Sequence, residues 1–266
     1  MLRNRLMIER VETETRSSAS IAPASTALLS QPSIAASVAT TARVADTALF
    51  PCCAVGKLFA SYGEETFVGS AWTIGNAAIL SAGHCVWDAK LGWPDSLLFV
   101  PQYADGGGRS WVPVRAAVPK GWIDSTGDAY EYDFSISIAS EPIATVTGQL
   151  GWLANDPDDA GPFVSFGYPA DDVANPEHDG RWMWQSAGGA IANSEFLGAY
   201  NDMTRGCSGG PWVVWRDGAV FAKGLNSFRY ESESDRMYSP HLGEAFLNLV
   251  DWADGQPTTD DREEKE

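Results

Sequence analysis

The sequence has few basic residues for its length. Its 266 residues include 18 Lys and Arg against 35 Asp and Glu, which gives a formal net charge of −17 at pH 7. A protein that binds nucleic acid through phosphate contacts needs a basic surface that displaces counterions. Nucleic acid is therefore excluded as a partner. Residues 47–255 carry 11 basic and 26 acidic side chains, a net −15, so the acidity belongs to the body of the protein.

Long apolar runs are also absent from the sequence. A membrane-spanning helix needs about 18–20 consecutive apolar residues, and no stretch approaches that length, so we expect no membrane partner. The apolar region of a secretory signal spans about 7–15 residues. The longest apolar run in residues 1–16 is Leu6-Met7-Ile8. The sequence therefore shows no clear signal peptide and no export route.

Both ends of the chain differ in composition from the middle. In residues 17–46, 19 of 30 residues are Ala, Ser or Thr, with no sustained apolar period. Such a composition cannot bury enough apolar surface to fold alone, so residues 1–46 are predicted to be a disordered leader or a propeptide. Residues 256–266 form a polar, acidic tail that we expect to fray.

The middle of the chain has the pattern of an all-β protein. Short apolar or alternating runs are separated by Gly, Pro, Asn and Asp, which favours a sandwich or a pair of barrels over an α/β fold. The predicted strands cover residues 54–61, 67–74, 77–81, 96–100, 134–138, 163–166, 211–215 and 220–226. Residues 243–253 place their apolar side chains on one helical face, which predicts a C-terminal helix.

Three segments carry chemistry. They are residues 81–85 (SAGHC), residues 132–138 (YDFSISI) and residues 206–211 (GCSGGP). A serine hydroxyl is a weak nucleophile unless an imidazole takes its proton and a carboxylate orients that imidazole. The candidates are Ser208, His84 and Asp133. Gly206 allows the backbone to turn its own amide and that of Ser208 toward a developing oxyanion.

Other residues could fill these roles, and each candidate has a simpler explanation. His84 could be a satisfied core histidine, and Asp124, Asp128 and Glu131 are acids near Asp133. Only Asp133 directly precedes an alternating strand. The two remaining histidines lie in polar contexts and are expected to be solvated; they are His178 and His241.

The same serine motif also fits another class of enzyme. Residues 206–210 match G-x-S-x-G, the nucleophile elbow of α/β-hydrolases, and Asp235 and His241 would complete the order Ser, Asp, His. That elbow requires a helix after the serine, whereas residues 211–215 have the pattern of a strand. An esterase of this type remains an alternative.

The three motifs in this order resemble those of the chymotrypsin-like serine proteases. Flanking segments at residues 50–58, 166–169 and 224–228 are most similar to the bacterial and fungal trypsin-like branch that includes the glutamyl endopeptidases. The resemblance runs from about residue 50 to residue 253.

The resemblance implies two six-stranded antiparallel β-barrels, at residues 47–140 and at 141–255, the second with the helix. His84 and Asp133 would come from the first barrel and Ser208 from the second. It implies a secreted, monomeric serine endopeptidase that acts on proteins or peptides through an acyl-enzyme and needs no metal or organic cofactor. A catalytically inactive binding protein of the same fold is the alternative.

The cysteines depart from the family pattern. Animal digestive relatives carry an aspartate at the position of Cys207, which pairs with a new N-terminus after zymogen cleavage. A thiol cannot make that ion pair, so removal of a propeptide would not activate the enzyme in that way. Relatives also bridge the cysteine after the histidine to a position that Val68 occupies here. We expect Cys85 to bridge to Cys52 or Cys53, and Cys207 to be buried and free.

Specificity is expected to depend on residues near the serine. Asp202 lies where relatives that cut after Arg or Lys carry a pocket acid, which predicts a basic residue before the cut. Asn226 stands where glutamyl endopeptidases carry a histidine. The remaining predicted substrate-binding residues, whose backbone would pair with the substrate as an added strand, are Ser227, Phe228 and Arg229.

Overall fold

The computed structural model describes residues 15–24, 26–31, 37–191 and 195–256. Over these ranges the chain forms fifteen short β-strands and only three α-helices. Not one helix in the described ranges is long and apolar enough to cross a membrane. The first 14 residues of the predicted leader and residues 257–266 of the predicted tail lie outside the described residues.

The first half of the body is a six-stranded antiparallel sheet. Its strands are β3 (Val55–Tyr62), β4 (Glu65–Thr73), β5 (Ala78–Ser81), β6 (Ser96–Pro101), β7 (Pro113–Ala117) and β8 (Ser135–Ala139). They pair in the order β6-β3-β4-β5-β8-β7. The two edges meet where Phe99 of β6 exchanges backbone hydrogen bonds with Trp111. The sheet therefore closes into a barrel, which removes exposed edges. Its core includes Trp72, Leu80 and Ile136, each fully buried.

The second half contains the remaining strands of the body. They are β9 (Gly151–Ala154), β10 (Phe163–Gly167), β11 (Trp184–Gly188), β12 (Leu197–Tyr200), β13 (Pro211–Arg216), β14 (Ala219–Leu225) and β15 (Arg236–Ser239). Five of them form a sheet in the order β9-β14-β13-β10-β11, with β9 and β14 parallel, and β12 pairs with β15 as a ribbon. Together the two halves make the predicted all-β fold of two chymotrypsin-like barrels.

The N-terminal segment adds a strand at each edge of the second sheet. Strand β1 (Arg16–Ser17) pairs with β9, and β2 (Thr40–Arg43) pairs with β11. Disorder, one of the two alternatives predicted for residues 1–46, is therefore wrong for the described part of that segment. Backbone hydrogen bonds to the sheet edges order it, and an Ala/Ser/Thr-rich composition does not reveal such bonds. The propeptide alternative stays a prediction.

Helices are few and short. They are α1 (Lys120–Asp124), α2 (Ala144–Thr147) and the C-terminal α3 (Glu244–Asp254). Helix α3 buries Phe246, whose ring meets Phe134 of the first barrel edge-on at 6.1 Å and Trp152 of the second at 5.2 Å. The predicted helix thus packs at the junction of the two barrels. Strand β13 follows Ser208 directly, so the fold is incompatible with the α/β-hydrolase alternative, which needs a helix there.

Candidate active site

His84 and Asp133 lie at the same end of the first barrel. His84 is in a single 3₁₀ turn after β5, and Asp133 follows another such turn just before β8. Because β5 pairs with β8 through Ser81 and Ser135, the two side chains emerge side by side. The Nδ1 atom of His84 lies 2.8 Å from Oδ2 and 3.1 Å from Oδ1 of Asp133. The backbone N–H of His84 also donates to Oδ1 at 2.8 Å.

The charge of Asp133 fixes the protonation of His84. An ionised carboxylate only accepts hydrogen bonds, so Nδ1 carries a proton, and in the neutral ring Nε2 keeps its lone pair. Burial lowers the pKa of His84, but the adjacent Asp133 carboxylate outweighs burial and holds that pKa well above 6.5. Burial likewise raises the pKa of Asp133, yet His84 and the hydrogen bonds to the carboxylate bring it below 3.8.

A third residue holds the acid, and sequence analysis assigned it another role. The hydroxyl of Ser227 donates a short hydrogen bond to Oδ2 of Asp133. Asp133 is completely buried, whereas the competing acids Asp124, Asp128 and Glu131 are all exposed. Burial with full hydrogen bonding is the environment that keeps a carboxylate charged and fixed.

Ser208 sits on a tight loop before β13, and the first barrel holds this loop. Ser70 of β4 donates its backbone N–H to the carbonyl of Ser208 at 2.7 Å and its hydroxyl to the carbonyl of Gly206 at 3.0 Å. The same hydroxyl accepts from the N–H of Tyr168 at 2.9 Å. Ser70 was not predicted as a site residue, because nothing in its local sequence marks a contact with a residue 138 positions away.

The loop has the conformation expected of an oxyanion site. Gly206 has φ +94°, and a Cβ there would lie 2.6 Å from the carbonyl of Tyr168. The carbonyl of Arg205 accepts from Ala170 at 2.6 Å, so the N–H of Gly206, in the same trans peptide, points the opposite way. In the described part of the chain, no acceptor takes the N–H of Gly206 or of Ser208.

Three of the predicted site residues line one cavity. A space of about 350 Å³ is lined by His84, Gly206 and Ser208, together with Cys85 and residues of the first barrel. The imidazole of His84 therefore borders the same volume as Ser208 and Gly206, whose N–H groups have no acceptor among the described residues.

Asn226 does not face that cavity. Its side chain is completely buried and uses all of its hydrogen-bonding capacity inside the protein. Nδ2 donates to the carbonyls of Phe166 and Cys207 at 3.0 and 3.1 Å, and Oδ1 accepts from Asn201 and Trp212 at 3.0 and 2.8 Å. The prediction that Asn226 binds substrate is wrong for its side chain, which instead holds the loop before Ser208.

Two further predictions are corrected. Asp202 is exposed and accepts a hydrogen bond from the hydroxyl of Thr41 on β2, so it points away from the cavity. His178 is 1% exposed rather than solvated, because Thr204 contacts its Nδ1 at 3.1 Å and Asn175 its Nε2 at 3.3 Å. His241 is exposed as expected.

Arg229 joins the two chain segments beside the site. Its guanidinium donates to the carbonyl of Met203 and, at 2.7 Å, to that of Ser234. Phe228 exchanges backbone hydrogen bonds with Tyr238. Among the described residues, no carboxylate lies within ion-pair distance of Arg229.

The predicted disulfide is absent, since all four cysteines, each within the described ranges, are free. Cys52 and Cys53 are buried in a 3₁₀ turn before β3. Cys85 instead faces Gly69, where a Cβ would lie 2.8 Å from its Sγ. Gly69, not Val68, is therefore the neighbour of Cys85, and glycine offers no thiol to bridge. Cys207 is buried and free, as predicted.

Known proteins resemble the chain in sequence and in fold. A glutamyl endopeptidase from Bacillus licheniformis is 28% identical over 221 residues, which cover 79% of this chain and 66% of that relative, slightly under two thirds of it. The protease Anisep from Arthrobacter nicotinovorans has a TM-score of 0.67 at 26% identity, over 76% of this chain and 95% of its own. No protein-family model matches the chain.

Two other solved structures share the fold at lower identity. The thermostable serine protease AL20 has a TM-score of 0.67 at 24% identity, over 76% of this chain and 98% of its own. A Glu endopeptidase also has a TM-score of 0.67, at 21% identity, over 84% of this chain and 99% of its own.

The fold and the relatives define the class. The chain has the chymotrypsin-like fold of the serine proteases, and the relatives it matches are peptidases of that group. The resemblance to the branch that includes glutamyl endopeptidases is thereby confirmed.

Proposed function

We propose that the protein is a serine endopeptidase that uses Ser208, His84 and Asp133. The arrangement of His84 carries this proposal. Asp133 holds its Nδ1 at 2.8 Å, and the ring lines the cavity that Ser208 also lines. The opposite ring nitrogen, Nε2, is then free to act as a base on the side away from Asp133.

The mechanism follows from these roles. Ser208 Oγ attacks the peptide carbonyl while His84 Nε2 takes its proton. The N–H groups of Gly206 and Ser208 stabilise the oxyanion, each donor being worth about 2.7–4 kcal/mol. His84 then protonates the leaving amine, and an acyl-enzyme remains on Ser208. Water, activated by the same His84, releases the acyl group.

The peptide before the cut would align along Ser227, Phe228 and Arg229. Phe228 is paired with Tyr238, and backbone groups alternate sides along an extended strand. The carbonyl of Ser227 and the backbone of Arg229 are thus the groups that an added substrate strand would meet.

A fluorophosphonate probe tests the proposal. The probe should label the wild-type protein, and Ser208→Ala should abolish labelling and lower kcat by about 10⁶-fold with unchanged folding. Ser125→Ala, at a half-buried serine outside the cavity, is the matched control and should label normally. Absence of labelling in folded wild-type protein would favour the inactive binding protein.

For specificity, we infer a preference for an acidic residue before the cut. The predicted basic preference depended on Asp202, and that side chain bonds Thr41 instead. Arg229 supports the opposite preference, because its guanidinium bonds the carbonyls of residues 203 and 234 and no carboxylate in the described part of the chain forms an ion pair with it. The relative named glutamyl endopeptidase agrees with an acidic preference.

A peptide library with Glu, Gln, Lys or Leu before the cut tests this inference. The wild type should prefer Glu over Gln, and Arg229→Gln should reduce that ratio by roughly tenfold or more, as the loss of a charged contact requires. Asp202→Ser should leave the ratio unchanged. If the wild type preferred Lys and Asp202→Ser abolished that preference, the prediction of a basic residue before the cut would be correct.

We further propose that the enzyme acts outside the cell as a monomer on protein or peptide substrates, after loss of a propeptide. The N-terminal pairing limits where such a cut can fall, since removal beyond residue 39 would delete β2.

A further inference from the structure

The cavity beside Ser208 extends away from the segments that would hold the peptide before the cut. Its walls are apolar side chains of β3 and β4, joined by one from the loop that follows His84. They are Leu58, Ala60, Tyr62, Phe67, Val68 and Leu91. Neither Ser227, Phe228 nor Arg229 lines it. The cavity is therefore separate from the strand that would align the acyl part of a substrate.

The position of the cavity relates it to the leaving group. His84 protonates the leaving amine, so the chain after the cut departs past His84 and its neighbour Cys85. Cys85, His84 and Gly69 all line the cavity. The cavity thus begins where the first residues after the cut must pass.

A free thiol and a glycine form this end of the cavity. Cys85 is not bridged, and Gly69 carries no side chain, since a Cβ there would lie 2.8 Å from the sulfur. At about 350 Å³, the volume lies within the range of small-ligand pockets, roughly 300–1,000 Å³. It can hold one bulky side chain.

The chemistry of the walls defines the occupant. Burial raises the pKa of Tyr62 to about 12, so its ring is uncharged, and it packs edge-on against Phe67 at 5.7 Å. Oδ1 of Asp88, the acid at the rim, accepts from the N–H groups of Lys90 and Leu91. The charged residues Asp88 and Arg205 also line the cavity, but the apolar residues outnumber them. An apolar side chain would therefore lose no hydrogen bond against most of the wall, where a charged one would be desolvated.

We propose that this cavity binds a large apolar side chain, such as Leu, Met or Phe, of the first or second residue after the cut. This inference rests on the proposed peptidase function. It assigns the enzyme a second specificity, on the leaving-group side, that is independent of the residue before the cut.

Acyl transfer to added amines measures binding on the leaving-group side of the site separately from binding of the acyl part. One ester substrate acylates Ser208 in every reaction, and added amines then compete with water for the acyl-enzyme. The amine nitrogen attacks the ester carbonyl, the bond to Ser208 Oγ breaks, and the amine proton passes through His84 to Oγ. The measured quantity is the partition ratio for leucinamide against glycinamide and aspartamide.

The wild type should transfer the acyl group to leucinamide roughly 10- to 100-fold better than to glycinamide, as burial of one apolar side chain predicts. Phe67→Ser should reduce this ratio at least threefold, and Leu91→Ser provides a second test should Phe67→Ser fold poorly; both side chains are half exposed. Val146→Ser, at a comparably exposed position on α2, should leave it unchanged.

A ratio within twofold of unity in the wild type would overturn the proposal, as would a ratio that neither cavity variant changes. Quenched peptides with Leu, Gly, Asp or Lys in the two positions after the cut should give the same order of kcat/KM. Failure of the proposed peptidase function itself is recognised separately, because no acyl-enzyme would then form from the ester.

Discussion

The side-chain amide of Asn226 donates a hydrogen bond of 3.1 Å to the carbonyl oxygen of Cys207, the residue before Ser208. The backbone of Asn226 also bonds Gly209 and Gly210, at 2.7 and 2.9 Å. One residue therefore fastens both sides of the nucleophile loop. Ser227, the next residue, holds Asp133, so two adjacent residues position the nucleophile and the acid of the proposed triad.

Asn226→Asp should impair catalysis, although the side chain of Asn226 does not face the cavity. The change replaces the two donors of Nδ2 by a carboxylate oxygen that faces two carbonyls, in a completely buried position. We expect kcat to fall up to about 100-fold, as small misplacements of reacting groups do, and stability to fall by about 2 kcal/mol or more. Steady-state kinetics and thermal unfolding measure the two effects. Asn76→Asp, at an exposed asparagine, should change neither, and a wild-type kcat in Asn226→Asp would contradict the positioning role.

The activity should depend on the titration of His84. Only the neutral ring can take a proton from Ser208, and the Asp133 carboxylate holds the pKa of His84 above 6.5. The kcat/KM should therefore increase with pH through an apparent pKa higher than 6.5. Asp133→Asn removes the charge that raises this pKa and leaves the opposing effect of burial, so an NMR titration of His84 should give a lower pKa than in the wild type. An unchanged His84 pKa in that variant would show that Asp133 is not its electrostatic partner.

The thiols should differ sharply in reactivity. Burial raises the pKa of Cys52, Cys53 and Cys207 to about 12, whereas Cys85 is only half buried and lines the cavity. Because the thiolate is the reactive species, a disulfide-exchange reagent should titrate one thiol rapidly in the native protein. Four thiols should react after unfolding without reductant. If two or fewer thiols reacted after unfolding, the prediction of a disulfide would be correct.

Part of the N-terminal segment should be required for stability and activity. A chain that begins at residue 37 keeps β2, and one that begins at residue 47 loses it together with the contact of Thr41 to Asp202. The shorter chain should unfold at a lower temperature and lose activity, because Asp202 lies on the segment that leads to Gly206. Thr41→Val, which keeps the strand and removes only the hydroxyl, should have a smaller effect of about 1 kcal/mol. Equal stability of the two truncated chains would show that β2 contributes nothing.

Much of the fold could be predicted from local pattern. The eight predicted strands and the predicted helix occur within two residues of their predicted bounds, because alternation and helical periodicity reflect burial directly. Seven strands of the described residues were not predicted, namely β1, β2, β7, β9, β11, β12 and β15. Three of these, β9, β11 and β12, contain glycine and buried positions on both faces, so they do not alternate, and their pairing depends on distant partners.

The site residues likewise include some that a local motif predicts and others that it does not. His84, Asp133 and Ser208 stand in short motifs whose residue types already specify a chemistry. The direction of a side chain carries no such local signal, which is why Asp202 and Asn226 were misassigned. Asp202 bonds a residue 161 positions away and Asn226 bonds Phe166, 60 positions away. Sequence neighbours cannot report contacts of that kind.

Because Ser70 hydrogen-bonds the nucleophile loop, activity should depend on the contact between the two barrels. Ser70 belongs to the first barrel and its partners Gly206 and Ser208 to the second. Any loosening between the barrels would release the loop while each barrel still kept its own strands. Under mild denaturant, hydrolysis should therefore cease before the circular dichroism of the sheets changes, and enzymatic turnover would be the earliest sign that the molecule is coming apart.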